Sequence, residues 1–218
     1  MTVGILFDLD GTLLDTLADL KDAVNYALGQ YGCPERSLAE IRSFVGNGVK
    51  SLLRQSLPGK ETDPDFDEFM KTYQAHYALH NRDKTAPYAG VLEVLEVLKG
   101  EYPVAIVSNK HHSAVQALCA FYFGDVYARG EQVDCPRKSA PDMLLRTMED
   151  LHVDKCIYVG DSEVDVLTAR NAGVPCLSVL WGFRNMEELQ NAGGKHFCND
   201  VSKLPRMLKA MIAEYYGA

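Results

Sequence analysis

The stretch that decides the fold is VGILFDLDGT at residues 3–12. Its first five residues are apolar and β-compatible, and they predict a buried strand that ends at Asp8. Gly11 then permits a tight turn, and Thr12 places a hydroxyl beside the carboxylates. Because Asp8 and Asp10 are two residues apart, an extended backbone points both carboxylates to the same side.

A carboxylate pair at this spacing has two possible roles. Two acidic groups ionise together at short range only when a positive charge compensates them, and Mg2+ is a hard cation that prefers oxygen ligands. Asp8 and Asp10 are therefore candidate Mg2+ ligands. The alternative is structural: the same pair can cap a turn at the end of the strand, and the DxD pattern alone leaves both roles open.

Helix and strand patterns alternate after Pro87. Apolar strand patterns at 104–107, 156–159 and 176–179 are separated by amphipathic helix patterns, and a further helix pattern closes the chain around 204–212. This alternation is typical of a parallel sheet that is covered by helices on both faces. The sequence therefore predicts an α/β fold.

The segment between the first strand and Pro87 has a different character. An amphipathic helix is predicted from Asp15 to a stop at Gly32, and nothing in 33–85 has a strand pattern. Ser37 and Glu40 have the spacing of a capping box, and a longer helix is predicted over 65–80. We expect a helical subdomain at 16–82, inserted into a core that comprises 1–15 and 83–218.

Composition excludes several classes of protein. A chain of 218 residues buries a core without disulfide or metal support, and its six cysteines form no CxxC pair. The net charge of −8 and the lack of basic runs weigh against a nucleic-acid partner.

No apolar stretch approaches the roughly 20 residues of a membrane span, and residues 1–6 lack the features of a secretory signal. We expect a soluble cytoplasmic protein, monomeric or homodimeric, without a membrane partner.

Polar residues follow the predicted strands or precede the next helix. Ligands of an open parallel sheet collect beyond the carboxyl ends of its strands, so these side chains are expected to converge on one pocket. With Asp8 and Asp10, the candidates are Ser108 and Asn109 after the strand at 104–107, Lys138 before Pro141, and Asp161 and Asp165 after the strand at 156–159.

These motifs, in this order, resemble the haloacid dehalogenase superfamily of aspartate-nucleophile phosphatases, most closely its phosphoglycolate phosphatase-like branch. The resemblance covers nearly the whole chain and is most specific in FDLDGT at 7–12. Lys138 and Pro141 match the Lys-x-x-Pro spacing of the family, although Ser139 replaces a proline that is often found there. The resemblance implies a Rossmann-like parallel sheet with helices on both faces and an inserted all-helical cap.

The resemblance also implies a role for each motif residue. Asp8 would be the nucleophile that attacks phosphorus, and Asp10 would act first as acid and then as base. Lys138 would offset the clustered negative charge. Asp161 would join Asp8 and the main-chain carbonyl of Asp10 as ligands of Mg2+, with Asp165 supporting Lys138 or a metal-bound water from outside the ligand set.

The remaining roles concern phosphate and specificity. The resemblance implies that the cap is a lid over the site, and the GNG turn at 46–48 makes Asn47 and Arg54 candidates for contacting the non-phosphate end of the substrate. The alternative for this turn is an ordinary helix start with a solvated basic face. The phosphate-binding residues would be Thr12, Ser108, Asn109 and Lys138.

The predicted function is Mg2+-dependent hydrolysis of a small phosphorylated metabolite through an aspartyl-phosphate, with phosphoglycolate as the best candidate. A β-phosphoglucomutase-like mutase, or a phosphatase for sugar phosphates, pyrophosphate or nucleotides, would share these motifs. A receiver-like phosphorylation switch is disfavoured by the Asp8 and Asp10 spacing and by the size of the insert. A dehalogenase is disfavoured because Asp10 matches the phosphotransfer pattern, and a non-catalytic binding protein is disfavoured because both aspartates are present. Four histidines lack metal-like partners and are interpreted as surface or structural residues: His76, His80, His111 and His112.

Overall fold

The computed structural model describes residues 1–59 and 64–217, and the chain separates into two compact units. One unit comprises Met1–Leu14 and the chain from Pro87 onward, and the other comprises Asp15–Ala86. In chain order the elements are β1 (Val3–Phe7), β2 (Leu14–Asp15), α1 (Leu17–Gln30), α2 (Leu38–Phe44), α3 (Gly48–Ser56), α4 (Phe66–His80), β3 (Ala86–Pro87), α5 (Val91–Glu101), β4 (Val104–His111), α6 (His112–Phe123), β5 (Tyr127–Glu131), α7 (Asp142–Asp150), β6 (Lys155–Gly160), α8 (Glu163–Ala172), β7 (Cys176–Val179), α9 (Met186–Asn191), β8 (His196–Cys198) and α10 (Leu204–Tyr216).

The first unit is built on a six-stranded sheet in the order β5-β4-β1-β6-β7-β8, and all of its strand pairs are parallel. In the register of the central strands, Phe7 lies opposite Ile106 on one side and Val159 on the other. The carboxyl ends of β1, β4 and β6 therefore meet at one edge of the sheet. The predicted parallel α/β fold is confirmed.

Both faces of the sheet are buried, and alternate residues of β1 point to opposite faces. Ile5 and Phe7 belong to one apolar cluster, and Leu6 belongs to another. The first cluster includes residues of α5, α6 and α10, whereas the second includes residues of α7 and α8. Helices thus cover the sheet on both sides, which explains why β1 is apolar at every position.

The sequence patterns missed part of the sheet. β5 reads YARGE and carries arginine, glycine and glutamate because it lies at an edge, where one side of the strand has no neighbour. β8 contains only three residues and lies at the other edge. β4 also runs on to His111, so Ser108 and Asn109, predicted to follow the strand, lie inside it.

The second unit is helical, and its local signals agree with the sequence patterns. Ser37 and Glu40 form the predicted capping box at the start of α2. Asp65 caps α4 by accepting hydrogen bonds from the backbone N–H groups of Asp67 and Glu68. α1 begins after Thr16, and Asp15 accepts a hydrogen bond from the backbone N–H of Leu17.

The two chain crossings between the units lie at 14/15 and 86/87, compared with the 15/16 and 82/83 that the sequence suggested. Asp19 of α1 explains the later position of the second crossing. Its buried carboxylate accepts hydrogen bonds from the backbone N–H groups of Lys84 and Thr85 and from the Thr85 hydroxyl, at 2.7 to 3.1 Å. These bonds bind residues 84–85 to the helical unit.

The six cysteines are free thiols, and Cys119, Cys135, Cys156 and Cys198 are buried. Among residues 1–59 and 64–217, no helix combines the length and the apolar character that crossing a membrane requires.

We expect Asp19→Ala to lower the free energy of unfolding of the helical unit by about 3 kcal/mol, because buried N–H and O–H donors lose their acceptor. Urea denaturation followed by circular dichroism measures this loss. Asp22→Ala is the matched control, since Asp22 lies on the same helix but pairs with Lys84 at a side chain that is 39% exposed. We expect a loss below about 1 kcal/mol for this control. Equal losses in the two variants would show that Asp19 does not anchor the crossing.

Candidate active site

The site lies at the carboxyl edge of the sheet, where β1 and β6 run side by side. Asp8 directly follows β1, and its backbone N–H donates to the Val159 carbonyl of β6 at 2.8 Å. Asp161 directly follows β6, and Asp165 lies in the first turn of α8. The parallel register therefore brings residues that are more than 150 positions apart to the same place.

Three buried carboxylates meet at this edge. Asp8, Asp161 and Asp165 each offer an oxygen atom, and these atoms all lie within 4.8 Å of one another. The carboxylate of Asp10 is directed elsewhere, because the ammonium of Lys110 lies 2.9 Å from both of its oxygens. The predicted ligand set was Asp8, Asp161 and the main-chain carbonyl of Asp10, with Asp165 outside it. The structure brings the carboxylates of Asp8, Asp161 and Asp165 together and pairs the Asp10 side chain with Lys110.

Crowding and burial make full ionisation of the three carboxylates unfavourable. The pKa of Asp8 is raised to about 7, first by burial and then by the neighbouring Asp165 carboxylate, against an opposing effect of Lys138. Burial also raises the pKa of Asp161 well above its usual range, and Asp165 and Asp8 add to this rise. Lys138 compensates one of the three negative charges. A divalent cation that prefers oxygen ligands would compensate the other two.

Lys138 is the ammonium in contact with the cluster. Its Nζ atom lies 2.9 Å from Asp8 Oδ1 and 2.7 Å from Asp165 Oδ1, and it also donates to the Tyr158 hydroxyl at 2.8 Å. Burial alone would lower the pKa of Lys138, but the Asp165 and Asp8 carboxylates outweigh burial and raise it. The side chain is therefore held as a cation. Its neighbour Arg137 is exposed, which resolves the choice between the two basic residues in favour of Lys138.

Asp161 is fixed by donors from two directions. The Thr12 hydroxyl donates to Asp161 Oδ1 at 2.9 Å, and the backbone N–H of Phe183 donates to Asp161 Oδ2 at 2.7 Å. The indole N–H of Trp181 in turn donates to the Thr12 carbonyl at 3.0 Å. Thr12 was predicted to bind phosphate, but its hydroxyl hydrogen is directed to the Asp161 carboxylate.

Asp165 is fixed by the start of its own helix. Ser162 caps α8, and its backbone N–H and hydroxyl donate to Asp165 Oδ2 at 3.0 and 2.6 Å. The other oxygen, Oδ1, receives Lys138. Oδ2 of Asp165 is therefore held by Ser162, and Oδ1 by Lys138 and the Tyr158 hydroxyl.

The two candidates on β4 differ in their contacts. Ser108 is buried, and its hydroxyl oxygen accepts from the backbone N–H of Lys110 at 3.3 Å. The side-chain amide of Asn109 donates to the Lys138 carbonyl at 2.8 Å. Asn109, predicted to bind phosphate, thus holds the backbone of the residue that carries the ammonium.

The structure places two predicted specificity residues in the helical unit. Asn47 is exposed and precedes α3, and Arg54 lies in the last turn of the same helix. The Arg54 guanidinium stacks over the Phe66 ring at 4.9 Å from its centroid.

Sequence reasoning missed three contributors to the site. Lys110 directly follows two predicted site residues, so its position was a usable signal for its pairing with Asp10. Tyr158 is the one side chain with a hydroxyl in the strand CIYVG, and that hydroxyl reaches Lys138 and the Val107 carbonyl. The loop after β7 supplies the Phe183 N–H to Asp161, and no motif marks that loop.

A model of the family described as haloacid dehalogenase-like hydrolase matches residues 5–179. A phosphoglycolate phosphatase of Cereibacter sphaeroides is 33% identical over 219 residues, covering 96% of this chain and 99% of that protein. Phosphoglycolate phosphatase 1 of Pseudomonas aeruginosa is 32% identical over 196 residues, covering 83% and 70%.

Solved structures agree with these sequence matches. A protein from Lactobacillus delbrueckii subsp. bulgaricus has a TM-score of 0.85 at 33% identity, covering 94% of this chain and 97% of that one. A predicted phosphatase from Clostridium acetobutylicum has a TM-score of 0.81 at 26% identity, covering 96% and 98%. The chain belongs to the haloacid dehalogenase-like hydrolase family. This confirms the predicted superfamily, and with it the prediction of a phosphatase-class enzyme.

We expect Gly182→Ala to disrupt the site. A Cβ atom at this position would lie 2.3 Å from Asp161 Cβ and 2.4 Å from the Gly11 carbonyl oxygen, closer than any Cβ atom normally approaches. The resulting shift should lower the free energy of unfolding by about 1 to 3 kcal/mol, as overpacking does, and displace Asp161.

Gly100→Ala is the matched control in the same unit, because nothing lies within 4 Å of the added Cβ atom and the residue lies in α5. There we expect a gain of about 0.5 to 1 kcal/mol in a urea melt. A Gly182→Ala protein as stable as the wild type would show that the loop after β7 is free to move away from Asp161.

We expect saturating Mg2+ to raise the melting temperature by about 5 to 10 °C, because a ligand that binds only the folded state stabilises it. Differential scanning fluorimetry with Mg2+ or with chelator measures the shift. Asp161→Asn should remove most of it, whereas Asp134→Asn, at an exposed carboxylate outside the cluster, should retain it. An equal shift in both variants would locate the cation elsewhere.

Proposed function

We propose that the chain is a Mg2+-dependent phosphomonoester hydrolase that works through an aspartyl-phosphate on Asp8, with phosphoglycolate as its substrate. The observation that carries this proposal is the arrangement around Asp8. Its buried carboxylate contacts the Lys138 ammonium at 2.9 Å and shares a cluster with Asp161 and Asp165, while Asp10 is paired separately. Asp8 is proposed as the nucleophile, and Asp10, whose carboxylate lies outside this cluster, is proposed as the group that transfers protons.

The first step is attack of an Asp8 carboxylate oxygen on phosphorus. A bond forms between that oxygen and phosphorus, the ester P–O bond breaks, and the leaving alkoxide takes a proton from Asp10. In the second step Asp10 takes a proton from a water molecule that attacks the same phosphorus. Phosphate leaves, the Asp8 carboxylate is restored, and Asp10 is again protonated.

The other residues support these steps. Lys138 offsets the negative charge of Asp8 and the transferring phosphoryl group. Ser108 is proposed to donate its hydroxyl hydrogen to a phosphoryl oxygen, as the sequence suggested. Thr12 and Asn109 position Asp161 and Lys138 through their side-chain hydrogen bonds, and their predicted contact with phosphate stays a prediction.

The metal would be held by carboxylate oxygens of Asp8 and Asp161 and by the main-chain carbonyl of Asp10. Asp165 would not bind the metal directly; its carboxylate pairs with Lys138. Mg2+ is the proposed ion because every donor is a hard oxygen. When bound there, Mg2+ supplies positive charge that compensates the carboxylates and the phosphoryl oxygens.

Phosphoglycolate is proposed because relatives that span almost the whole chain at 31 to 33% identity are named phosphoglycolate phosphatases. The roles of the helical unit as a cap, and of Asn47 and Arg54 in specificity, stay predictions. So do the cytoplasmic location and the monomeric or homodimeric state.

Phosphate release from a substrate panel tests the proposal. The panel comprises phosphoglycolate, glucose phosphates, pyrophosphate, nucleoside monophosphates and an aryl phosphate, each with Mg2+ and with chelator. We expect Mg2+-dependent release with the highest kcat/KM for phosphoglycolate. Similar kcat/KM values for all members would reject phosphoglycolate as the specific substrate. Interconversion of glucose phosphates would favour a mutase. No release from the folded protein would reject the hydrolase.

We expect Asp8→Asn to reduce phosphate release to background, because an amide cannot form the acyl-phosphate. The fold should remain intact, and circular dichroism checks this. Asp10→Asn should behave differently, with a phosphoenzyme that is formed slowly or accumulates because its hydrolysis lacks a base. Substantial turnover by Asp8→Asn would refute the nucleophile assignment.

We expect Lys110→Met to lower kcat about 10- to 100-fold with little change in KM, because Asp10 loses the ammonium that orients its carboxylate. Lys110→Arg should restore part of the rate. Steady-state kinetics measures both, with Lys155→Met as the control at an exposed lysine on β6. Wild-type kcat in Lys110→Met would remove Lys110 from the mechanism.

A further inference from the structure

The last turn of α4 carries a pair of histidines that the proposed hydrolysis does not use. His76 and His80 are four residues apart, so they lie on the same face of the helix. Their ring centroids are 4.3 Å apart, and the Tyr26 ring stacks on the other side of His76 at 3.9 Å. The sequence analysis assigned no metal-like partner to either residue; the helix places them side by side, and Tyr26 of α1 packs against His76.

Asp83 holds the ring of His80 through one nitrogen. Its Oδ2 atom lies 2.8 Å from Nδ1 of His80. Because an ionised carboxylate only accepts hydrogen bonds, Nδ1 is the donor to Asp83, which leaves Nε2 as the nitrogen that can bind a metal. Metal-binding histidines characteristically donate their second ring nitrogen to a carboxylate in this way.

The charges around the pair favour a cation. Asp83 lies near enough to interact electrostatically with His76, whereas the charge of Asp22 is offset by Lys84 and Lys21. His80 is the last residue of α4, so the partial negative charge of the helix C-terminus lies beside its ring. The Asp83 carboxylate and the end of the helix therefore both favour a cation at His80.

We propose that His76 and His80 bind a divalent transition cation of the class that prefers imidazole ligands, namely Zn2+, Ni2+ or Cu2+, and that Asp83 positions the His80 ring. Imidazole nitrogen selects these ions, whereas the oxygen cluster at Asp8 selects Mg2+. The two rings are stacked in the structure, so binding one ion requires the His76 ring to turn out of the stack toward Nε2 of His80 while Asp83 holds the His80 ring. This inference does not depend on the proposed phosphatase activity, because all of its residues lie in the helical unit.

Titration of the full chain with ZnCl2 tests the proposal, with isothermal calorimetry near neutral pH. Saturating Mg2+ is present throughout to occupy the acidic cluster. We expect one Zn2+ per chain, with affinity reduced about 10-fold or more in His76→Ala and in His80→Ala. Asp83→Ala should weaken binding about 10- to 100-fold, as the loss of a carboxylate behind a metal-binding histidine does. His196→Ala is the control at a histidine outside the pair and should bind as the wild type does.

Proton NMR of the wild-type chain keeps the test independent of variant folding. Equimolar Zn2+ should shift the ring signals of two of the six histidines, and the variants assign these two to His76 and His80. Unchanged affinity in both His→Ala variants would overturn the site. So would Zn2+ binding that is lost in Asp161→Asn but kept in His76→Ala, or a wild-type spectrum in which no pair of histidine signals moves.

Discussion

The buried ammonium of Lys138 is the interaction on which the rest of the site depends. It contacts Asp8 and Asp165 at 2.9 and 2.7 Å in a place where the pKa of Asp8 is already raised by burial. Without this cation, three carboxylates within 4.8 Å of one another could not remain ionised inside the protein. The lysine therefore keeps Asp8 closer to the charged form that a nucleophile requires, and leaves a residual negative charge that a divalent ion can compensate.

The sheet makes this arrangement possible by its connectivity. β1, β4 and β6 are neighbours in the sheet but distant in sequence, so their carboxyl ends deliver Asp8, Ser108 and Asp161 to one edge. Space for the carboxylates comes from residues without side chains. At Gly11, where φ is +85°, an added Cβ atom would lie 2.3 Å from Asp161 Oδ2, and Gly160 leaves comparable room for Asp165. The acidic cluster is compact because its backbone neighbours have no Cβ atoms.

The sequence predicted those parts of the molecule that depend on local patterns. β1 and Asp8 belong to one continuous motif, and the Lys138 to Pro141 spacing distinguished Lys138 from Arg137. The patterns failed where tertiary contacts decide: β5 is polar because it lies at an edge of the sheet, so its sequence did not indicate a strand. Lys110 pairs with a residue 100 positions away, and the Phe183 N–H comes from a loop without a motif. No local pattern encodes such partners.

The central claim is that Asp8 itself becomes phosphorylated during turnover. Rapid acid quenching with phosphoglycolate and Mg2+, followed by proteolysis and mass spectrometry, tests it directly. The two-step mechanism predicts a peptide that contains Asp8 and carries the mass of one phosphoryl group. It also predicts that this species is absent in Asp8→Asn. Turnover without any phosphorylated peptide, or a phosphoryl group on another residue, would contradict the mechanism.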